Sequence, residues 1–237
     1  MDPVGGTALN HNVIKDMQSI DLTSESYASG IITTVSHVLS WVLSPVILPV
    51  YGIILVFSLS MLSYVPTAGK LQIIGIVFGL TALLPGIAIF IMSRYGGVKD
   101  VALTRRSDRP IPYILIGCAL LGCGYYLSTT GLPVWVSLFY IGAAVAAAVN
   151  LIVNFWWKIS AHGAGMGGFI AMIMLMNRYG LPHYNLWIWC IGAVLAGGLL
   201  GMARVWLGRH TPMQTVAGEV SGIICVLAMQ WLMPLQS

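Results

Sequence analysis

The sequence predicts an all-α fold, a polytopic membrane helix bundle of six to seven transmembrane helices. Three observations carry that expectation. Of the 237 residues, 58% are hydrophobic and only 8% charged, whereas a soluble globular domain carries about 25% charged residues. The mean hydropathy is +0.88. The apolar residues also gather into seven segments, 37–62, 71–93, 111–129, 132–156, 163–179, 184–203 and 213–234. At about 1.5 Å of rise per residue, such segments cross about 30 Å of hydrocarbon with some tilt.

In chain order, residues 1–34 are polar, with Asp2, Asp16, Asp21 and Glu25 set against Lys15. They lack the cationic start and apolar core of a secretory signal, so they read as a retained N-terminal tail ahead of a membrane-embedded domain over 35–237. The first apolar segment holds Pro45 and Pro49 and is expected to kink or break there. The fifth carries Gly163, Gly165, Gly167 and Gly168, which suits close helix packing or close approach of backbone to a ligand. Cys118, Cys123, Cys190 and Cys225 all lie inside apolar segments, without the spacing of a metal site or of a disulfide framework. No internal repeat is evident.

Three basic clusters follow the second, fourth and sixth segments. They are Arg94, Lys99, Arg105, Arg106 and Arg109; then Lys158 with Ser160 and His162; then Arg204, Arg209 and His210. Two crossings separate each pair, so all three emerge on one membrane face. These loops hold 8 of the 11 Lys and Arg residues. Cations at a bilayer boundary serve as ordinary interfacial anchors. Paired with imidazoles they also suit phosphoryl transfer on a lipid headgroup, where one ring attacks phosphorus, another protonates the leaving oxygen and guanidinium neutralises the phosphate oxygens. A nucleic-acid partner is not expected, because the net charge of +4 is modest and confined to membrane loops.

The order of residues narrows these alternatives. Arg109-Pro110, then Ser160-Ala161-His162, then Arg204 followed after five residues by His210 resembles the three-part signature of the type 2 phosphatidic-acid phosphatase superfamily, which includes the vanadium haloperoxidases. The resemblance spans about residues 94 to 220. It implies a lipid phosphatase with no cofactor and no metal, acting on a membrane lipid phosphate. By position it implies that His210 is the nucleophile forming a phosphohistidine and that His162 is the general acid. It likewise makes Arg109 and Arg204 phosphate clamps. Ser160 becomes a donor at a helix start, where free N–H groups and the helix dipole favour anions; a plain N-cap is a compatible role.

The match has departures. Ala102 stands where the family has lysine, and Lys99, Arg105, Arg106 or Lys158 are the cations available to replace it. Ile159 and Ala161 replace proline and glycine in the second block, and Ala203 replaces serine in the third. Gln214 stands where the family has aspartate; its carbonyl can accept the imidazole N–H and fix the tautomer, but it brings no charge.

Glu219 is the acid inside an apolar segment, a position read equally as functional or as structural. Asn150 and Asn154 share a helix face and read as interhelical glue. Trp156 and Trp157 read as an interface belt, and His37 and His183 as interfacial. Two other functions compete. A membrane prenyltransferase needs aspartate-rich magnesium sites, for which only Asp100 and Asp108 are at hand; a lipid phosphotransferase, or a non-catalytic lipid-binding or transport homologue, fits the departures. The basic count, nine residues with Lys15 against Lys70 and Arg178, would place the clusters in the cytoplasm by the positive-inside rule. The family's usual placement is outside, and the outer face of the cell membrane is the sidedness expected here.

Overall fold

The structure is a computed structural model that describes residues 28–95, 106–180 and 184–229. Of the described residues 84% are helical, and none is in a strand. Most of the N-terminal tail lies outside them, as do Lys99, Asp100, Ala102, Arg105 and His183.

The first apolar segment is broken, as its prolines require. Helix α1 (Ala28–Val42) stops before Pro45, and α2 (Leu48–Leu59) restarts with Pro49 in its first turn, where a missing N–H costs no helical bond. Tyr140 ties this restart to the bundle by donating its hydroxyl to the Pro49 carbonyl at 2.9 Å. The second segment is a continuous helix, Thr67–Arg94, made of α3 (Thr67–Phe78), a π turn (Gly79–Leu83) and α4 (Leu84–Arg94). Pro85 explains the π turn, because its ring displaces the carbonyl one turn back and the wider turn absorbs the clash.

Helix α5 (Pro110–Ser128) opens on Pro110 with Arg109 as its N-cap. A turn through Gly131, whose φ of 74° lies in the left-handed region that favours glycine, leads to α6 (Val134–Asn154). Helix α7 (Ala161–Tyr179) is capped by Ser160, whose hydroxyl accepts from the Gly163 amide at 3.2 Å. Helix α8 (Trp187–Trp206) ends in a tight turn at Gly208, φ 63°, and α9 (Pro212–Ala228) begins with a capping box between Thr211 and Gln214.

The helix α7 is central. Met166, Ile170, Met172, Ile173 and Met176 on it are at most 1% exposed and pack with Leu48 and Ile53 of α2 and Phe139 of α6. Its glycines answer the choice left open by the sequence: they serve helix packing. A Cβ at Gly163 or Gly167 would overlap the backbone of Thr215 or Glu219, and one at Gly218 or Gly222 would overlap the backbone of Ser160 or Ala164. Two small-residue stripes, i and i+4 on each helix, thus bring the α7 and α9 backbones together.

Large apolar side chains face outward along α3, α4 and α8, among them Leu71, Phe90, Ile188 and Leu195. Four described helices are long and apolar enough to cross a membrane: Thr67–Arg94, Arg106–Ser128, Val134–Asn154 and Trp187–Trp206. This is a membrane protein's surface, with fewer qualifying helices than the six to seven expected. The shortfall has local causes. The proline break leaves α2 only 12 residues, α9 is described over 17, and α7 dilutes its apolar run with glycines, His162, Asn177 and Arg178.

Candidate active site

The three loops named by the sequence converge. A cavity of about 490 Å³ is lined by Arg109 from the start of α5, His162 from the first turn of α7, Arg204 from the last turn of α8 and His210 from the turn after it. Pro45, Val46, Ile89 and Ile116 supply apolar walls.

Local sequence chemistry places each polar group. Pro110 starts α5 and leaves Arg109 at its N-cap, with the guanidinium donating to the Ile159 carbonyl at 2.8 Å. Arg109 thereby clips the loop before α7. Gly208 turns the chain out of α8, and the amides of Arg209 and His210 both donate to the Arg204 carbonyl at 3.0 and 3.3 Å. That fixes His210 beside Arg204. The amide of Ser160 donates to the Gln214 carbonyl at 3.2 Å, joining the second and third motif loops.

The His210 ring is held at both nitrogens. Its Nε2 lies 3.4 Å from Arg109 Nη2 and its Nδ1 lies 3.1 Å from Gln214 Oε1. A guanidinium has donors only, so Nε2 must accept and the proton sits on Nδ1, donated to the Gln214 carbonyl. The Gln214 oxygen is itself oriented by accepting from the Thr211 amide at 3.2 Å. Gln214 thus contacts the ring through its carbonyl, without a charge. Burial first, and the Arg109 charge next, lower the His210 ring to about 3, against the opposing pull of the Gln214 hydrogen bond. The ring is neutral at physiological pH, with a lone pair on Nε2.

His162 is held by backbone. Its Nε2 donates to the Ser40 carbonyl of α1 at 3.1 Å, which leaves Nδ1 as the nitrogen able to gain and lose a proton. Arg204 Nε and Ser40 Oγ are buried on the cavity wall with no hydrogen-bond partner. Arg204 is 7% exposed.

The other expected phosphate contacts lie elsewhere. Ser160 is fully buried as the α7 N-cap and lines a smaller cavity behind Arg204. Arg106 is exposed and donates to the Trp156 carbonyl at 2.9 Å, while Asn154 donates to the Arg106 carbonyl at 3.1 Å, so both brace the loop ahead of Arg109. Lys158 does not line the cavity, but burial and the charges of Arg109, Arg204 and Arg209 lower its ammonium, which places it within the same positive field. Asn150 accepts from Ser221 of α9 at 3.1 Å, an interhelical contact of the kind anticipated.

Sequence reasoning missed Ser40, Tyr113 and His37, which all line the cavity. Tyr113 stands one helical turn after Arg109, a spacing that could have flagged it; nothing in the sequence marks Ser40. Among the described residues no group of three His, Cys, Asp or Glu side chains is placed to hold a metal ion. Comparison of the chain with family models, with curated proteins and with solved structures returned no match.

Proposed function

We propose that the chain is an integral membrane lipid phosphatase that removes phosphate from a lipid headgroup through a phosphohistidine on His210. The observation that carries this reading is the convergence of His210, His162, Arg109 and Arg204 on one cavity whose other walls are largely apolar. Phosphate would meet the cations while the lipid chain follows the apolar wall. In this reading α7 and α9 cross the bilayer with the four longer helices, giving six spans, and the site opens at the outer face.

The chemistry follows from the tautomers. The phosphate displaces the Arg109 contact from Nε2, and Nε2 attacks phosphorus while Arg109 and Arg204 neutralise the equatorial oxygens. The P–O bond to the lipid breaks and the departing alkoxide takes the Nδ1 proton of His162, which enters this step as the imidazolium with its Nε2–H still donated to the Ser40 carbonyl. Water then attacks the phosphohistidine, gives its proton back to His162 and releases inorganic phosphate. Gln214 keeps Nδ1–H in place throughout.

A second reading, a non-catalytic protein that binds lipid phosphates, draws on Gln214: an amide supplies no charge to the imidazolium. One assay separates the two. Purified protein in detergent, with excess chelator, is given phosphatidate or a polyprenyl diphosphate. Release of inorganic phosphate, inhibited by vanadate, is the expected result. Saturable binding without release would establish the second reading, strict magnesium dependence would refute the metal-free mechanism, and phosphate transferred to an added alcohol would make the protein a phosphotransferase.

A further inference from the structure

Behind the main cavity lies a second, much smaller one of about 10 Å³, lined by Ser160, Gly163, Gly197, Arg204, Thr215 and Glu219 among others. Arg204 is the residue that belongs to both. It is 7% exposed, and its Nε has no hydrogen-bond partner. A buried guanidinium without a counter-charge is costly. The charge must therefore be met by a group near at hand.

Glu219 is the carboxylate that lines the same small cavity as Arg204. Its Oε1 lies against α8, 2.6 Å from where a Cβ on Gly197 would stand, so the glycine is what admits the carboxylate between α8 and α9. Gly197 and Arg204 are seven residues apart, two turns on one face of α8, and a Cβ on the intervening Gly201 would stand 3.5 Å from the Thr215 hydroxyl. A side chain on a helix leans toward the helix N-terminus, which carries Arg204 back toward Gly197 and the carboxylate. The small cavity between them has polar walls and the volume of about one water molecule, which needs at least about 10–15 Å³.

We propose that Glu219 is a positioning residue for Arg204: its carboxylate, through one water in the small cavity, holds Nε and leaves the guanidinium ends to meet the phosphate. In this arrangement Glu219 supplies the carboxylate that Gln214 does not, and supplies it to the clamp instead of to the nucleophile. The proposal rests on the reading of Arg204 as a phosphate clamp.

The test is a double-mutant cycle of Glu219→Gln and Arg204→Gln, read both as thermal unfolding of the detergent-purified protein and as phosphate release. Glu219→Gln keeps the volume of the side chain. It is expected to lower kcat by about tenfold with KM little changed, the scale of removing a partner that orients a directly bound group, and to have no further effect once Arg204 is Gln. In the unfolding arm Glu219→Gln leaves the buried Arg204 charge without its partner and Arg204→Gln leaves the half-buried carboxylate without its own, so the double variant should melt no lower than either single, and it should fold even if a single does not. Additive losses in stability, or a kcat unchanged by Glu219→Gln, would overturn the proposal. Should the wild-type protein release no phosphate from any lipid phosphate, the phosphatase reading fails and the unfolding cycle alone decides the role of Glu219.

Discussion

The two walls of the site are built differently. On one side α7 and α9 meet backbone to backbone through Gly163, Gly167, Gly218 and Gly222, and α8 closes over them through Gly197 and Gly201. His162, Arg204, His210 and Gln214 all belong to this wall. On the other side stand α1 and α4, where Trp41 is 77% exposed and a Cβ added at Gly86 would meet nothing, although both residues line the cavity. The contrast teaches where precision is needed. On the proposed chemistry, groups that act on phosphorus must be held within fractions of an ångström, which interlocked helices provide, whereas a wall that only receives a lipid chain can be loosely filled.

The largest effect that would sharpen this contrast is on turnover. Arg204→Ala and Arg109→Ala should each lower kcat by roughly 10²–10³, the usual cost of removing one donor to developing charge. Losses confined to KM in steady-state kinetics would make the two arginines binding residues only. In contrast, Trp41→Ala on the open wall should change KM with little change in kcat.

Next comes stability. Gly167→Ala or Gly222→Ala forces a methyl into opposing backbone, and overpacking of this kind costs about 1–3 kcal/mol. Gly86→Ala on α4, where an added methyl meets nothing, should not destabilise and should gain up to about 0.5–1 kcal/mol from helix propensity. Thermal unfolding in detergent measures both, and equal effects on the two walls would break the comparison.

The smallest effect is a displaced pH profile. With its pKa lowered to about 3, His210 stays neutral, and so able to attack, until the pH falls to about 3. The acid limb of kcat/KM that belongs to the enzyme should therefore lie near pH 3 and not near the ordinary histidine value of about 6.5. Gln214→Asp places a negative charge beside Nδ1, raises that pKa and should move the limb upward. The substrate's own ionisation is common to both proteins, so the difference between their profiles isolates the ring. Superimposable profiles would mean that residue 214 does not touch the nucleophile.

Much of this arrangement was legible in the sequence, for identifiable reasons. The prolines at 45 and 49 announce the break between α1 and α2 because proline chemistry is local. Ser160 announces the α7 N-cap, and the two-crossing count places Arg109, His162 and His210 at one end of the bundle. The sequence does not show which helix pairs with which. The glycines of α7 were conspicuous, but their complement at Gly218 and Gly222 matters only because α9 lies against α7. His37 is exposed and also lines the cavity, because the break after α1 lets that helix run beside the site. The grip of Arg109 on His210 and of the Ser40 carbonyl on His162 joins residues 101 and 122 positions apart. No spacing rule reaches that far.

The central claim is that His210 attacks phosphorus, and the direct measurement is to capture the intermediate. Wild-type protein and the His210→Ala and His162→Ala variants would be mixed with a radiolabelled lipid phosphate, quenched in alkali and digested, and the labelled peptide identified by mass spectrometry. The account predicts an acid-labile, alkali-stable phosphoramidate on the peptide containing His210, absent from His210→Ala and still formed by His162→Ala when the leaving group is activated. Label persisting in His210→Ala, or turnover by the wild-type protein with no covalent phosphate on His210, would contradict it.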